Sequence, residues 1–387
     1  MTFAVTRLLA ALLTAVLSCP YAAADPVRRP DDRGIYLAWT TGGLPPGFRE
    51  AVRGLPNVRQ SLVVAAGTAW LTRAVSARGR AEAPPQGLAY PIEVAAVDPS
   101  EVVRFLPRPA RRVAALLGRG EGVLGSSAAR VRKMGAGSTL SFGTTAVRVA
   151  AVLPDRLIGA KELLVSRHVG WRMGITRDRY ALLRLTTPLS HRALALLLRR
   201  IVPAAQALRV RAPGETRFLR EADAAIPPVR LKLAFGEFAA RPEGGYLFLD
   251  PSWVRANIAR ERVPILGTVL CNVELFQQLR GALGDVVRRG LAGLIKPSEY
   301  GGCYSPRFAM RDPRAGISHH SWGAAIDINV TENPYGARPS MDPRIVRIFK
   351  HWGFRWGGDW LIPDGMHFEY GRPAPVTRPP NRPWPRA

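Results

Sequence analysis

Apolar positions alternate in the stretch "STLSFGTTAVRVAAVLPD", with Leu140 and Phe142 before Gly143 and Val147 and Val149 after it. A period of two on either side of a glycine predicts two strands joined by a turn. From about residue 25 to about residue 224 the chain keeps this manner, with short apolar runs broken by Gly and Pro, so a strand-rich α+β region is expected. Within it, "SHRALALLLRRIVP" reads as a short helix capped by Ser190 and stopped by Pro203.

A boundary is expected over residues 225–235, where "EADAAIPPVRLKLAF" places Pro227 and Pro228 ahead of an alternating strand at Val229, Leu231 and Leu233. Beyond it the period becomes helical. "CNVELFQQLRGALGDVVRRG" spaces Leu275, Phe276, Leu279, Leu283, Val286 and Val287 along one face, with Asn272 as N-cap and Gly290 past the end. "MDPRIVRIFKHWG" starts at Asp342 with Pro343 in the first helical position, buries Ile345, Ile348, Phe349 and Trp352, and stops at Gly353. The tail over residues 373–387 is rich in Pro and Arg and reads as extended or disordered.

At 387 residues the chain has room for more than one core. The formal charge of +26 is mostly arginine, since Lys133, Lys161, Lys232, Lys296 and Lys350 are the only lysines. A polyanionic partner such as an anionic wall polymer fits this excess, and so does the bland composition of a GC-rich genome, because the arginines are scattered along the whole chain. Basic and aromatic residues do not interleave and zinc-finger spacing is absent, so nucleic acid is not an expected partner. The opening "MTFAVTRLLAALLTAVLSCPYAAADP" has Arg7, an apolar run from Leu8 to Leu17 and a small-residue exit, which predicts an export signal over residues 1–24. Cys19 in "VLSC" leaves lipid anchoring open as a second reading. No later segment is long and apolar enough for a span, so the expected compartment is the periplasm, cell wall or exterior. Cys271 and Cys303 then remain, and two cysteines in an exported chain predict a disulfide.

The chemistry gathers near the end. "SHHSWGAAIDINV" sets His319, His320 and Asp327 in a small, apolar run, where a free carboxylate is costly unless strongly partnered. His351, His367, Asp359, Asp364 and Glu369 follow within the same quarter of the chain. A catalytic zinc needs three protein ligands and an open position. His320, Asp327 and His367 are candidates, with Asp364 three residues before His367 as a proton acceptor. His319 reads as a bystander with a ligand role as the alternative, and Asp359 either caps a turn or meets substrate. Glu369 is placed to orient a ligand, and Trp322, Trp356 and Trp360 read as core more readily than as a substrate platform. His168 and His191 stand alone.

"SHHSWGAAIDIN" fits the pattern S-x-H-x-x-G-x-A-x-D, and with "DGMHFE" it resembles the paired signatures of the zinc peptidases that include vancomycin-resistance-type D,D-carboxypeptidases and phage L-alanyl-D-glutamate endopeptidases. "NPYG", "WGGDW" and "GGCYSPR" extend the resemblance over residues 236–372. It implies an α+β, hedgehog/D,D-peptidase-like zinc domain, with His320, Asp327 and His367 on Zn2+, Asp364 as general base and Arg307 on the oxyanion. By the same resemblance carboxypeptidase members usually carry glutamate where Asp364 stands and Asp364 matches the endopeptidase branch, so which bond is cut stays open between the endopeptidase and carboxypeptidase outcomes. The expected activity is zinc-dependent hydrolysis of peptidoglycan stem peptides. A binding protein that keeps the zinc fold without turnover is one alternative. An accessory of export machinery is another, since "GEGVLGSSAARVRKMGAGSTLSFGTTAVRVAAVLPD" resembles the extracytoplasmic core domain of macrolide-exporter-type permeases.

Overall fold

The computed structural model describes residues 34–221 and 226–374. The expected export signal, Cys19 and the tail from residue 375 onward lie outside the described residues. No helix among those described is long and apolar enough to cross a membrane.

The first region is built on one sheet of eleven strands. They are β1 (Ile35–Thr40), β2 (Val58–Leu71), β3 (Arg73–Val75), β4 (Ala81–Glu82), β5 (Tyr90–Val97), β6 (Gly122–Gly125), β7 (Thr139–Phe142), β8 (Thr145–Leu153), β9 (Leu163–Ser166), β10 (Asp178–Leu185) and β11 (Leu208–Arg211). Their order is β11-β1-β10-β2-β5-β9-β6-β8-β7-β3-β4. Parallel pairing occurs between β5 and β9 and between β6 and β8. The expected hairpin is β7–β8, where Phe142 pairs with Thr145 and Leu140, Phe142, Val147 and Val149 are all buried. Not every strand is short: β2 runs for 14 residues, pairing first with β10 and then with β5. Both sheet faces are covered, since Tyr36, Ala38 and Val63 pack with Leu194 and Leu198 on one side, and Leu37, Leu62 and Val64 with Val113 and Leu117 on the other. The helix His191–Leu198 starts at Ser190, whose hydroxyl accepts from the Ala193 N–H at 3.2 Å.

Residues Pro228–Phe235 form a helix, not the expected strand. Pro228 sits in the first turn, where its missing N–H costs nothing. The alternation suggests a strand only if Lys232 faces water, but Lys232 is 4% exposed and donates to Glu162 at 2.8 Å. With Val229, Leu231, Lys232 and Phe235 buried and Leu233 exposed, the spacing is helical.

Beyond this helix come two hairpins, β12 (Ala240–Glu243) with β13 (Tyr246–Leu249) and β14 (Ile258–Val263) with β15 (Gly267–Asn272). A small antiparallel sheet follows, β16 (Ala325–Asp327), β17 (Phe354–Trp356) and β18 (His367–Tyr370), with β18 central. The helices Phe276–Arg288 and Pro343–His351 cover it, with Leu279, Leu283, Ile345, Phe349 and Phe368 in one core. Asn272 caps a single 3-10 turn ahead of the first of these helices, and Val287 is 48% exposed rather than buried. Asp342 caps the second as its pattern predicts. Cys271 and Cys303 form a disulfide with a Cα separation of 5.3 Å.

The two regions are joined tightly. Ala89 and Ala240 exchange backbone hydrogen bonds of 2.9 and 2.8 Å, and Trp70 meets Phe308 edge-on. Arg132, Glu162, Lys232 and Glu237 form a buried chain of ion pairs across the junction.

Candidate metal centre

Three local devices place the site. His320 lies in a 3-10 turn, His319–Trp322, whose cap is Ser318. The turn ends at Gly323 with φ 62, a conformation that favours glycine, and a Cβ there would lie 2.6 Å from the backbone N of Asn272. Asp327 ends β16 and His367 begins β18, and the register pairs them directly, so the two side chains project from one face. The loop "GGCYSPR" brackets both: Gly302 O accepts from the Asp327 N–H at 3.0 Å, and Cys303 O from the His320 Nδ1–H at 2.8 Å.

The outcome is convergence. His320 Nε2 lies 3.2 Å from His367 Nδ1 and 3.2 Å from Asp327 Oδ2, and His367 Nδ1 lies 2.9 Å from Asp327 Oδ1. The separation expected of zinc ligands, about 3–4 Å for bonds of about 2.0–2.2 Å, is met within a tenth of an ångström. His320 donates through Nδ1 to Cys303 O, which leaves the Nε2 lone pair facing the cluster. His367 Nε2 lies 3.3 Å from Glu369 Oε2, which leaves its Nδ1 facing the same point. Glu369 in turn lies 2.7 Å from His319 Nδ1. His319 therefore stands outside the donor cluster but partners the group that orients His367.

Two imidazole nitrogens and a carboxylate are a zinc donor set, and their outer nitrogens are held as such ligands require. In the metal-free chain the same closeness sets the protonation. Burial raises the Asp327 carboxyl, but His320 and His367 outweigh it and hold it well below the usual range. Burial lowers His367, yet Asp327 and Glu369 push it up to about 10. Burial likewise raises Glu369, and His319 and His367 bring it far down.

Asp364 behaves differently. Burial raises its pKa, with Asp327 adding to the rise against the pull of His367, His320 and Arg307. Its Oδ1 is buried with no hydrogen-bond partner. The backbone fixes it, since the Asp364 N–H donates to Gly357 O at 2.9 Å and a Cβ on Gly357 would stand 2.6 Å from Asp364 O. Glycine in "WGGDW" is thus required by close approach.

His320, His367, Asp364 and Arg307 all line one cavity of about 340 Å³. The Arg307 backbone is clamped by Ser321, whose hydroxyl accepts from the Arg307 N–H and donates to its carbonyl, both at 3.0 Å. Trp360 packs against the His367 ring at 5.0 Å and lines the cavity, and Trp322 borders the same cavity from the core to which it belongs. Asp359 is 58% exposed and pairs with Lys350, away from the cavity lining. His351 ends its helix, exposed and apart from the cluster, and His168 and His191 are also remote. The sequence reading missed Tyr335, which lines the cavity from within the "NPYG" already singled out. It also missed Glu93, Arg179, Arg220 and Glu221 on the cavity wall, which lie in the first region where no local pattern marks them.

No curated protein matches the chain. Among solved structures, the periplasmic region of MacB from Actinobacillus actinomycetemcomitans is 11% identical, covers 48% of this chain and 92% of its own, and has a TM-score of 0.31. A permease-protein domain from Porphyromonas gingivalis is 17% identical, with 48% and 92% coverage and a TM-score of 0.29. The extracellular domain of the noncanonic ABC-type transporter YknZ from Gram-positive bacteria is 12% identical, with 46% and 99% coverage and a TM-score of 0.31. Likenesses of that size bear no weight on function. Residues 311–370 match the family model described as D-alanyl-D-alanine carboxypeptidase, a span that holds His320, Asp327, Asp364 and His367 and supports a peptidase.

Proposed function

We propose that the chain is an exported zinc peptidase that hydrolyses peptidoglycan stem peptides, as an L-alanyl-D-glutamate endopeptidase or a D-alanyl-D-alanine carboxypeptidase. The observation that carries this reading is the convergence of His320, Asp327 and His367 beside the unpartnered buried oxygen of Asp364. Those three residues would hold the ion. Bound zinc supplies Lewis-acid chemistry, polarising a carbonyl and making water acidic enough to ionise at about pH 7.

The protein's own groups do the rest. Asp364 Oδ1 takes the proton from the attacking water, and its raised pKa suits it to hold that proton and pass it to the leaving amine. Arg307 donates to the oxyanion from its clamped loop. Glu369 orients His367, and Cys303 O orients His320. A non-catalytic zinc-fold protein would have no use for a half-buried carboxyl with one oxygen buried and kept free of partners, which favours turnover. The charge of +26 suits retention on anionic wall polymers.

Mass spectrometry of purified muropeptides after digestion tests this. Loss of terminal D-alanine or scission between L-alanine and D-glutamate is expected, abolished by chelator and restored by zinc. Muropeptides left intact by zinc-loaded protein would overturn the enzymatic reading.

A further inference from the structure

The cavity beside His320 and His367 is not built from the peptidase-like region alone. Residues of the eleven-stranded sheet, Glu93 and Arg179 among them, form part of its wall, with Arg220 and Glu221 from the segment after β11. Through this wall runs a network in which Arg132, Lys161, Arg179, Arg220 and Lys232 meet Glu93, Glu162, Glu221 and Glu237, five cations against four carboxylates. Four of the cations are well matched. Arg220 donates twice to Glu93 at 3.0 and 2.7 Å, and Lys161 donates to Glu221 at 2.9 Å. Lys232 and Arg132 close on Glu162 at 2.8 and 2.9 Å.

Arg179 is the cation left over. Its nearest carboxylate oxygen, on Glu221, is 3.9 Å away, and its side chain is only 17% exposed. Its guanidinium makes no hydrogen bond in the described structure. A guanidinium that lines the cavity with only a distant carboxylate beside it keeps N–H donors free for a ligand. The backbone adds an independent sign. Asp178 pairs with Ala65 and Tyr180 with Val64, so Arg179 is the extra residue of a β-bulge. A bulge re-aims a side chain, and such features gather beside functional sites.

We propose that Arg179 binds a carboxylate of an acidic peptide whose scissile carbonyl lies at the His320–Asp327–His367 cluster, so that the first region supplies substrate specificity to the second. The assignment rests on the peptidase reading for the position of the scissile bond, and on the wall's own charge for the rest. Planar guanidinium and carboxylate match in a fork of two hydrogen bonds, which a lysine cannot reproduce. The cavity of about 340 Å³ falls in the range that holds a small peptide segment.

The test compares a synthetic stem pentapeptide having all carboxylates free with versions amidated at each carboxylate in turn. On Arg179→Gln the free peptide is expected to show KM raised about 10- to 100-fold with kcat little changed, the scale of one lost charged hydrogen-bonding pair. One amidated version should behave on wild type as the free peptide does on Arg179→Gln, and the variant should no longer distinguish the two. Arg179→Lys should fall between. Equal loss on every peptide, or no loss on the free one, overturns the assignment. Calorimetric binding to an Asp364→Asn background separates this from the peptidase reading. If nothing is cleaved yet the free peptide binds and Arg179→Gln abolishes that preference, the peptidase reading falls and Arg179 stands. If cleavage proceeds and Arg179→Gln distinguishes the peptides as wild type does, the reverse holds.

Discussion

Asp364 and His367 are three residues apart, yet their replacements should fail in different ways. The buried Oδ1 of Asp364 has no partner in the protein, so Asp364→Asn removes a proton acceptor and little else. Zinc content is expected to stay near one equivalent, while the rate falls by about 10²–10⁴, the usual scale for a positioned acid–base group. His367→Ala should lose metal and rate together, because one of three donors goes. Metal analysis beside turnover separates the two, and an Asp364→Asn protein cleaving at a near-normal rate would remove Asp364 as the base. Glu369→Gln asks a finer question. The amide keeps the shape but gives up the charge that faces both His319 and His367. Zinc affinity should drop by about 10- to 100-fold, as for other groups that orient a metal-bound imidazole, measured by competition with a chromophoric chelator. Unchanged affinity would show that strand pairing alone orients His367.

Elements deliver these side chains, and some of them could be read directly from the chain. The helix Pro343–His351 carries its own cap, its proline and its apolar face within a dozen residues, so nothing distant is needed to recognise it. The helix Pro228–Phe235 could not be read that way, because its period is completed by Lys232, and what buries Lys232 is Glu162, 70 residues earlier. The histidine and aspartate motifs were legible as candidates, but the Asp327–His367 pairing that brings them together exists only in the sheet register. Two element-scale tests follow from this. Replacing Cys271 and Cys303 together by serine should lower stability by about 2–4 kcal/mol if the native geometry is unstrained, seen as a fall in Tm. It should also weaken zinc binding, because Cys303 O holds the His320 ring. Gly357→Ala should keep zinc but depress the rate, since the new Cβ meets Asp364 O at 2.6 Å and must push that carboxylate's backbone aside. A Gly357→Ala enzyme with normal kcat would mean that Asp364 tolerates displacement.

At the scale of the whole molecule, the least legible feature was that the sheet closes part of the cavity wall. Glu93, Glu162 and Lys232 are separated by up to 139 positions, and no local pattern marks them as a set. Only the folded arrangement brings them together, with Glu162 and Lys232 buried and Glu93 half-buried beside them. That burial makes a claim about acid stability. Desolvation by itself would raise the Glu93 carboxyl, but Arg220 and Lys161 outweigh it and bring it from 4.5 to about 2. A carboxyl depressed in the folded state contributes its stability fully above its unfolded pKa and loses it as the pH falls through its folded value. For Glu93 the loss runs from about pH 4.5 down to about pH 2, and its size is on the order of 3 kcal/mol. Glu93→Gln removes that carboxylate and leaves Arg220 and Lys161 short of counter-charge, so at pH 7 it should cost about 3–5 kcal/mol. The decisive quantity is the gap between wild type and Glu93→Gln in denaturant titrations of chelator-treated protein, where loss of zinc cannot contribute. That gap should be widest at neutral pH and narrow steadily from pH 4.5 to pH 2, as wild type surrenders what the variant never had. A gap of constant width across that range would show that Glu93 keeps its ordinary titration, and that its pairs with Arg220 and Lys161 do not stabilise the first region in the way their geometry implies.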